Sequence, residues 1–161
     1  MGIANNLLYF VIFWRSGLYA DSALQLVYVA ISLYGMWRWR GGRAAGEPVR
    51  PVGRTPPREW LALFAIGSLS CVGLGVFLAH HTPSTVPWAD AFTTVLSLCA
   101  QWLMSRRFLE NWLLWIAADF VYIPLYLYKD LALTAGLYSV FLALCVKGFV
   151  GWRREARARM A

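Results

Sequence analysis

The stretch NWLLWIAAD, residues 111–119, places polar and aromatic side chains at helical spacing inside a strongly apolar run. At about 100° per residue, Asn111, Trp112, Trp115 and Asp119 fall within one arc of about 100° on a helix. An ionisable group in mid-membrane costs about 2.5–3.5 kcal/mol on insertion scales, and it is tolerated where it faces a bundle interior or a wet cavity. The pattern therefore predicts one wall of a binding cavity. The alternative for Asp119 is a structural role, held by a hydroxyl or tryptophan N–H of a neighbouring helix.

A second polar stripe follows the run 86–104. Asp90, Thr94, Ser97 and Gln101 fall close together when this run is placed on a helix. Thr94 and Ser97 also fit hydrogen bonding between membrane helices, and Asp90 fits a helix cap after a proline-containing loop. Gln101 is the member of this stripe that we place in the candidate site.

Motifs for catalysis, cofactor binding or metal binding do not occur in the sequence. It has no phosphate-binding loop, no dinucleotide fingerprint, no HExxH and no Cys/His constellation. Cys71, Cys99 and Cys145 lie inside apolar runs at spacings that match no metal site. We could assemble no pair of nucleophile and base, so the sequence predicts non-covalent binding with no catalytic residue, cofactor or metal.

Composition indicates a membrane protein. Apolar residues make up 60% of the 161 residues and charged residues 14%, whereas soluble domains are about 45–50% apolar and about 25% charged. The net charge of +7 comes from basic residues clustered between apolar runs. This distribution favours topology-setting loops over a nucleic-acid surface.

Six apolar runs are separated by polar connectors, and five are long enough for the roughly 20 residues that a membrane crossing needs. The runs lie at about 1–15, 19–39, 59–79, 86–104, 110–128 and 131–152. Arginines concentrate in the second, fourth and last connections, which all fall on one side. The positive-inside rule makes this side, with the C-terminus, cytoplasmic.

An internal repeat relates the two ends of the chain. When Asn6 is aligned with Asp119 without gaps, GMWRWR (35–40) falls on GFVGWR (148–153), and Gln25 falls on Tyr138. The paired helices have the same orientation, which is a known parallel-repeat plan of transporters. We therefore expect an all-α membrane protein with a 3+1+3 arrangement of seven helices, of which about six are present. We also expect the missing helix to lie upstream of Met1.

This plan divides the chain into five segments. They are an incomplete first repeat (1–40), a cytoplasmic basic loop (41–58), a linker helix (59–81), a second three-helix repeat (82–152) and a basic cytoplasmic tail (153–161).

The motif WxxWxxxD in ENWLLWIAAD resembles the signature of the PnuC family of bacterial nicotinamide riboside transporters. The segments LYADSALQLVYVAISLYGMWRW, DAFTTVLSLCAQWLMSRRFLENW and LYSVFLALCVKGFVGW occur in the order and spacing of that family. The resemblance covers nearly the whole chain. It implies a SWEET-like fold, facilitated diffusion without ATP hydrolysis, inward flux maintained by cytoplasmic phosphorylation, and a homotrimer in the bacterial inner membrane.

The resemblance also implies a substrate site built from both repeats. The candidate residues are Asn111, Trp112, Trp115, Asp119, Gln101, Gln25, Asn6, Tyr122, Tyr138 and Tyr28. Tryptophan faces bind a flat cation such as the nicotinamide ring with about 2 kcal/mol or more when desolvated. Amide side chains can pair with a carboxamide or with ribose hydroxyls. Asp119 either offsets the cation or binds the ribose.

Other readings of the sequence stay open. Carriers of the same fold move thiamine, which is also a flat cation, or riboflavin. A non-transporting membrane subunit or a receptor is an alternative from a different class, and flux into liposomes separates it from a transporter.

Overall fold

The computed structural model describes residues 2–15, 19–44, 51–82, 86–128 and 130–158. These residues form six helices, which confirms the all-α fold class. The helices are α1 (Gly2–Arg15), α2 (Tyr19–Ala44), α3 (Pro57–His81), α4 (Pro87–Ser105), α5 (Asn111–Tyr128) and α6 (Ala132–Ala158).

Helix ends differ from the apolar runs mainly on the arginine-rich side. The predicted loop 41–58 is shorter, because α2 continues to Ala44 and α3 begins at Pro57. Proline suits the first turn of a helix, where its missing N–H needs no partner. The predicted tail 153–161 begins as helix, since α6 continues to Ala158 through residues with good helix propensity. Residues 45–50 of the loop and 159–161 of the tail lie outside the described residues.

Most helices that follow one another in the chain pack together, and α2 and α3 are the exception among the described residues. The pairs α1–α2, α3–α4, α4–α5 and α5–α6 are in contact, and α2 also packs on α4. The α2–α4 contact therefore joins the α1–α2 hairpin to the other four helices. A Cβ on Gly35 would lie 2.9 Å from the Cα of Ser105, so only glycine lets the two backbones approach this closely.

The outer surface of the bundle is apolar, as a lipid-facing surface must be. On α3, Leu61, Phe64 and Leu69 are 71–76% exposed. Among the described residues, α3 and α6 are long and apolar enough to cross a membrane by length and composition, with mean hydropathies of 2.3 and 1.8. The sequence predicted five crossings. Charged and amide side chains lower the hydropathy of α2, α4 and α5, and α1, with 14 residues, was not among the predicted crossings.

The connection between α4 and α5, residues 106–110, is anchored to the segment before α3, and we call it the basic turn. Gly53 donates its N–H to the carbonyl of Arg107 at 3.0 Å, and Leu109 donates to the carbonyl of Gly53 at 2.9 Å. The backbone N–H and hydroxyl of Thr55 both donate to Glu110 Oε2, at 2.9 and 2.8 Å. These bonds hold the beginning of α5 in place.

Two ion pairs extend this anchoring to the long helices. Arg106 pairs with Glu59 near the beginning of α3, and Arg107 pairs with Glu155 near the end of α6 at 3.0 Å. The beginning of α3 and the end of α6 therefore lie at the same end of the molecule as the basic turn.

Candidate functional site

A cavity of about 1350 Å³ lies between the α1–α2 hairpin and the remaining helices. Side chains from α1, α2, α4, α5 and α6 line it, and no described residue of α3 does. Pockets for drug-sized ligands measure about 300–1,000 Å³, so a molecule of nucleoside size fits with room for water. Both predicted repeats thus contribute to one space.

Eight of the ten predicted site residues line this cavity. They are Asn6, Gln25, Tyr28, Gln101, Trp115, Asp119, Tyr122 and Tyr138. They come from five helices and from distant parts of the chain. Their contact with a substrate stays a prediction, but the structure brings them together around one volume.

Asn111 and Trp112 lie elsewhere. Asn111 is fully buried at the first position of α5, where its Nδ2 donates to the carbonyl of Phe108 at 2.6 Å. The ring of Trp112 packs on Gly148 of α6, where an added Cβ would lie 2.5 Å from it, and meets Trp152 edge-to-face with ring centroids 5.4 Å apart. The prediction that these two side chains share a cavity wall with the rest of their motif is wrong. An arc of about 100° is wide enough to face both a cavity and a neighbouring helix.

Trp115 and Asp119 lie one helical turn apart on α5, and both line the cavity. Asp119 is only 4% exposed. Trp115 Nε1 and Asp119 Oδ2 are buried without a hydrogen-bond partner in the protein, while the thiol of Cys145 on α6 interacts with the Asp119 carboxylate. A buried polar atom left unpaired costs about 1–3 kcal/mol. Beside a cavity, such a donor and acceptor are available to a bound molecule.

Gln101 connects the two parts of the bundle across the cavity. Its Nε2 donates to the hydroxyl of Ser32 on α2 at 2.9 Å, and both residues line the cavity. Of the other members of the predicted stripe, Ser97 lines the cavity and Thr94 does not. Asp90 does not cap α4, because the cap position is Val86. It lies in the first turn, where a carboxylate suits the helix dipole.

A cluster of tyrosines forms the cavity wall beyond Asp119. The ring centroids of Tyr122 and Tyr138 are 4.8 Å apart, those of Tyr126 and Tyr138 are 5.0 Å apart, and those of Tyr122 and Tyr126 are 5.7 Å apart. Tyr126 and Cys145 were not among the predicted site residues. The helical arc that contains Asp119 already included Tyr126, whereas Cys145 gave no signal within its apolar run.

The cavity wall carries negative charge, and its described residues carry no positive charge. Asp119 is the one carboxylate among the described residues that line the cavity, and these residues include no arginine or lysine. Nor do the described parts of the chain contain three or more His, Cys, Asp or Glu side chains grouped so that they could hold a metal ion. The wall offers aromatic faces, amides, hydroxyls and one carboxylate, a set that suits a flat polar molecule, above all a cation.

Comparison with known proteins places the chain among vitamin transporters. The sequence profile of a family described as "Nicotinamide mononucleotide transporter" matches residues 1–154. The nicotinamide riboside transporter PnuC of Escherichia coli (strain K12) is 25% identical over 182 residues, covering 98% of this chain and 76% of its own. The PnuC of Neisseria mucosa is 31% identical over 166 residues, covering 95% and 62%.

Two further similarities concern the substrate range and the fold. The riboflavin/roseoflavin transporter RibM of Streptomyces davaonensis is 30% identical over 139 residues, covering 83% of this chain and 65% of its own. A crystal structure of the vitamin B3 transporter PnuC superposes with a TM-score of 0.71 at 27% identity, covering 98% of this chain and 71% of that one. The resemblance drawn from the sequence motifs is confirmed, and the chain belongs to the nicotinamide mononucleotide transporter family of membrane proteins.

Proposed function

We propose that this chain carries nicotinamide riboside across the membrane by facilitated diffusion. One observation carries the proposal. Trp115 and Asp119 lie one helical turn apart in a cavity whose described lining has no basic side chain. The nicotinamide ring of the riboside is a flat cation, and an indole face next to a buried carboxylate is a favourable environment for it. The names of the PnuC relatives support the same substrate.

The charge of the cavity favours the riboside over the mononucleotide that gives the family its description. A phosphate monoester carries about −1.5 to −2 charges at pH 7 and needs basic or N–H partners. The described lining contains no arginine or lysine, and Asp119 would repel a phosphate. Phosphorylation of the riboside inside the cell would therefore prevent its return and maintain inward flux.

The predicted residues divide into substrate contacts and structural supports. Trp115 stacks on the pyridinium ring, and Asp119 meets the ring charge or the ribose. The amides of Gln25, Gln101 and Asn6 pair with the carboxamide and the ribose hydroxyls, and Tyr28 supplies a further aromatic face. Tyr122 and Tyr138 line a neighbouring part of the same cavity. Because Asn111 and Trp112 lie outside the cavity, we assign them the support of α5. No step in this mechanism forms a covalent bond, so it requires no catalytic residue, cofactor or metal.

The orientation and assembly of the protein form part of the same proposal. The basic turn, the beginning of α3 and the end of α6 lie together and carry the arginines, and the positive-inside rule assigns this end to the cytoplasm. The chain then lies in the bacterial inner membrane with its C-terminus inside. We propose that it assembles as a homotrimer, as the family resemblance implies.

Riboflavin is the second candidate substrate, because a riboflavin/roseoflavin transporter is 30% identical to this chain. Its ring system is larger and uncharged, so it would use the tyrosine and tryptophan faces without needing Asp119. Thiamine, a flat cation, remains the alternative that uses the same charge.

Binding and flux measurements on the purified protein test these proposals together. Titration calorimetry with nicotinamide riboside, nicotinamide mononucleotide, thiamine and riboflavin identifies the ligand, and we expect tightest binding of the riboside. Uptake into liposomes containing a riboside kinase and ATP should exceed uptake into liposomes without the kinase. Binding without flux would indicate a receptor, and absence of riboside binding would refute the proposed substrate.

A further inference from the structure

The tyrosine cluster occupies a part of the cavity that the proposed site does not use. Tyr122, Tyr126 and Tyr138 are each half-buried, line the cavity and contact one another with centroid distances of 4.8–5.7 Å. Tyr122 and Tyr126 come from α5 and Tyr138 from α6, two helices packed against each other. The cluster is therefore one continuous wall and does not close the space between the two parts of the bundle.

This wall and Trp115 lie at different levels along α5. At 1.5 Å per residue, Tyr122 lies about 10 Å and Tyr126 about 16 Å further along α5, toward the end remote from the basic turn. Stacked aromatic rings have centroids about 4.5–7 Å apart. The Cα atoms of Trp115 and Tyr122 are thus further apart than two stacked rings, and Asp119 lies between the two levels.

We propose that Tyr122, Tyr126 and Tyr138 form a second station for a flat aromatic cation, which the substrate occupies before or after the level of Trp115. This inference rests on the proposed function, since it concerns the passage of the same riboside. Tyrosine faces attract cations less strongly than tryptophan faces, so this station is the weaker one. Passage through a pore is favoured by several sites of moderate affinity, because each must release what it binds.

A second station should affect the rate of substrate uptake more than it affects the equilibrium affinity for the substrate. Equilibrium binding reports the tighter level at Trp115, whereas uptake at low substrate concentration also depends on capture by the tyrosines. Loss of an aromatic face should lower uptake of the cationic riboside more than it weakens equilibrium binding. The reduced riboside, whose dihydropyridine ring is uncharged, should be little affected.

Variants at Tyr138, the ring that contacts both others, test the station. In liposomes we expect Tyr138→Leu to lower the initial uptake of nicotinamide riboside by about 5–10-fold, and Tyr138→Phe by no more than about twofold, since Phe keeps the ring face. For the reduced riboside, both variants should stay within about twofold of the wild type, and the calorimetric Kd for the cation should change by less than about threefold. Tyr126→Leu provides a second variant, and size-exclusion chromatography verifies that each protein is folded.

Three results would overturn the station while leaving the proposed function intact. They are unchanged uptake in both Leu variants, an equal loss for the charged and the reduced riboside, and a Kd weakened as much as by Trp115→Ala. Unchanged uptake would show that the tyrosines have no role in transport. An equal loss for both ribosides would show that the tyrosines act only through packing. An equally weakened Kd would show that they belong to the same site as Trp115. If the wild-type protein binds no riboside, the proposed function itself fails, so the two failures are distinguishable.

Discussion

The replacement Trp115→Ala tests the centre of the proposed site. Trp115 lines the cavity, and its indole N–H is buried without a partner. Removing the ring removes a desolvated cation–π contact of about 2 kcal/mol or, by analogy with bases stacked on aromatic side chains, a stacking contact of about 1–3 kcal/mol. Since 1.4 kcal/mol is tenfold in Kd, we expect nicotinamide riboside to bind roughly 30–100-fold more weakly.

The assay is titration calorimetry on protein in lipid nanodiscs, with two tryptophan controls. Trp60 lies on the outer face of α3 and is 39% exposed, so Trp60→Ala should leave the Kd within about twofold of the wild-type value. Trp112 packs on Gly148 outside the cavity. Trp112→Ala should therefore lower the Tm and have a smaller effect on the Kd than Trp115→Ala. Equal weakening by Trp115→Ala and Trp60→Ala, or a loss of less than about threefold at Trp115, would refute the site.

Three further predictions follow from other contacts. Asp119→Asn should weaken binding of the cationic riboside about tenfold and of the reduced riboside less than threefold, because the change removes charge and keeps shape; calorimetry with both forms measures this. Gly35→Ala should lower the Tm and slow uptake, at a cost of about 1–3 kcal/mol, because its Cβ would meet the backbone of α4, whereas Gly73→Ala has open space and should do neither. Gln101→Leu should weaken riboside binding by about 2–10-fold more than Ser32→Ala, because the Gln101 amide donates to Ser32 through Nε2 and still has Oε1 to pair with a substrate in the cavity.

Each of these predictions has an outcome that contradicts it. An equal loss for both ribosides in Asp119→Asn would assign the carboxylate to the ribose. Equal Tm values for the two glycine variants would show that α2 and α4 can separate without penalty. Identical Kd values for the Gln101 and Ser32 variants would leave Gln101 with only a bridging role between helices.

Helix existence and the membrane setting could be predicted from the sequence because of backbone chemistry. Within lipid every backbone N–H and C=O must find its hydrogen-bond partner inside the segment. A long apolar run is therefore expected to form a helix. The family resemblance of the WxxWxxxD motif and of the segments around Gln25 and Gln101 then implied that Asp119, Gln101 and Gln25 share one site, and the structure brings these residues to one cavity.

Contacts between residues distant in the chain could not be predicted in this way. Gln101 and Ser32 meet across α2 and α4, and the bonds between Thr55 and Glu110 hold the beginning of α5. Neither pair has a periodic signature, because each depends on where two separate helices or loops lie relative to each other.

The motif NWLLWIAAD shows where the two sources of information divide. The sequence alone determined that Asn111, Trp112, Trp115 and Asp119 share one side of a helix, since 3.6 residues per turn is a property of the backbone. Only the tertiary structure decided that Trp115 and Asp119 face the cavity while Trp112 faces α6. The physical reason is the rotation of α5 about its own axis, which is set by the space that Gly148 leaves for the Trp112 ring and by the bonds of the basic turn.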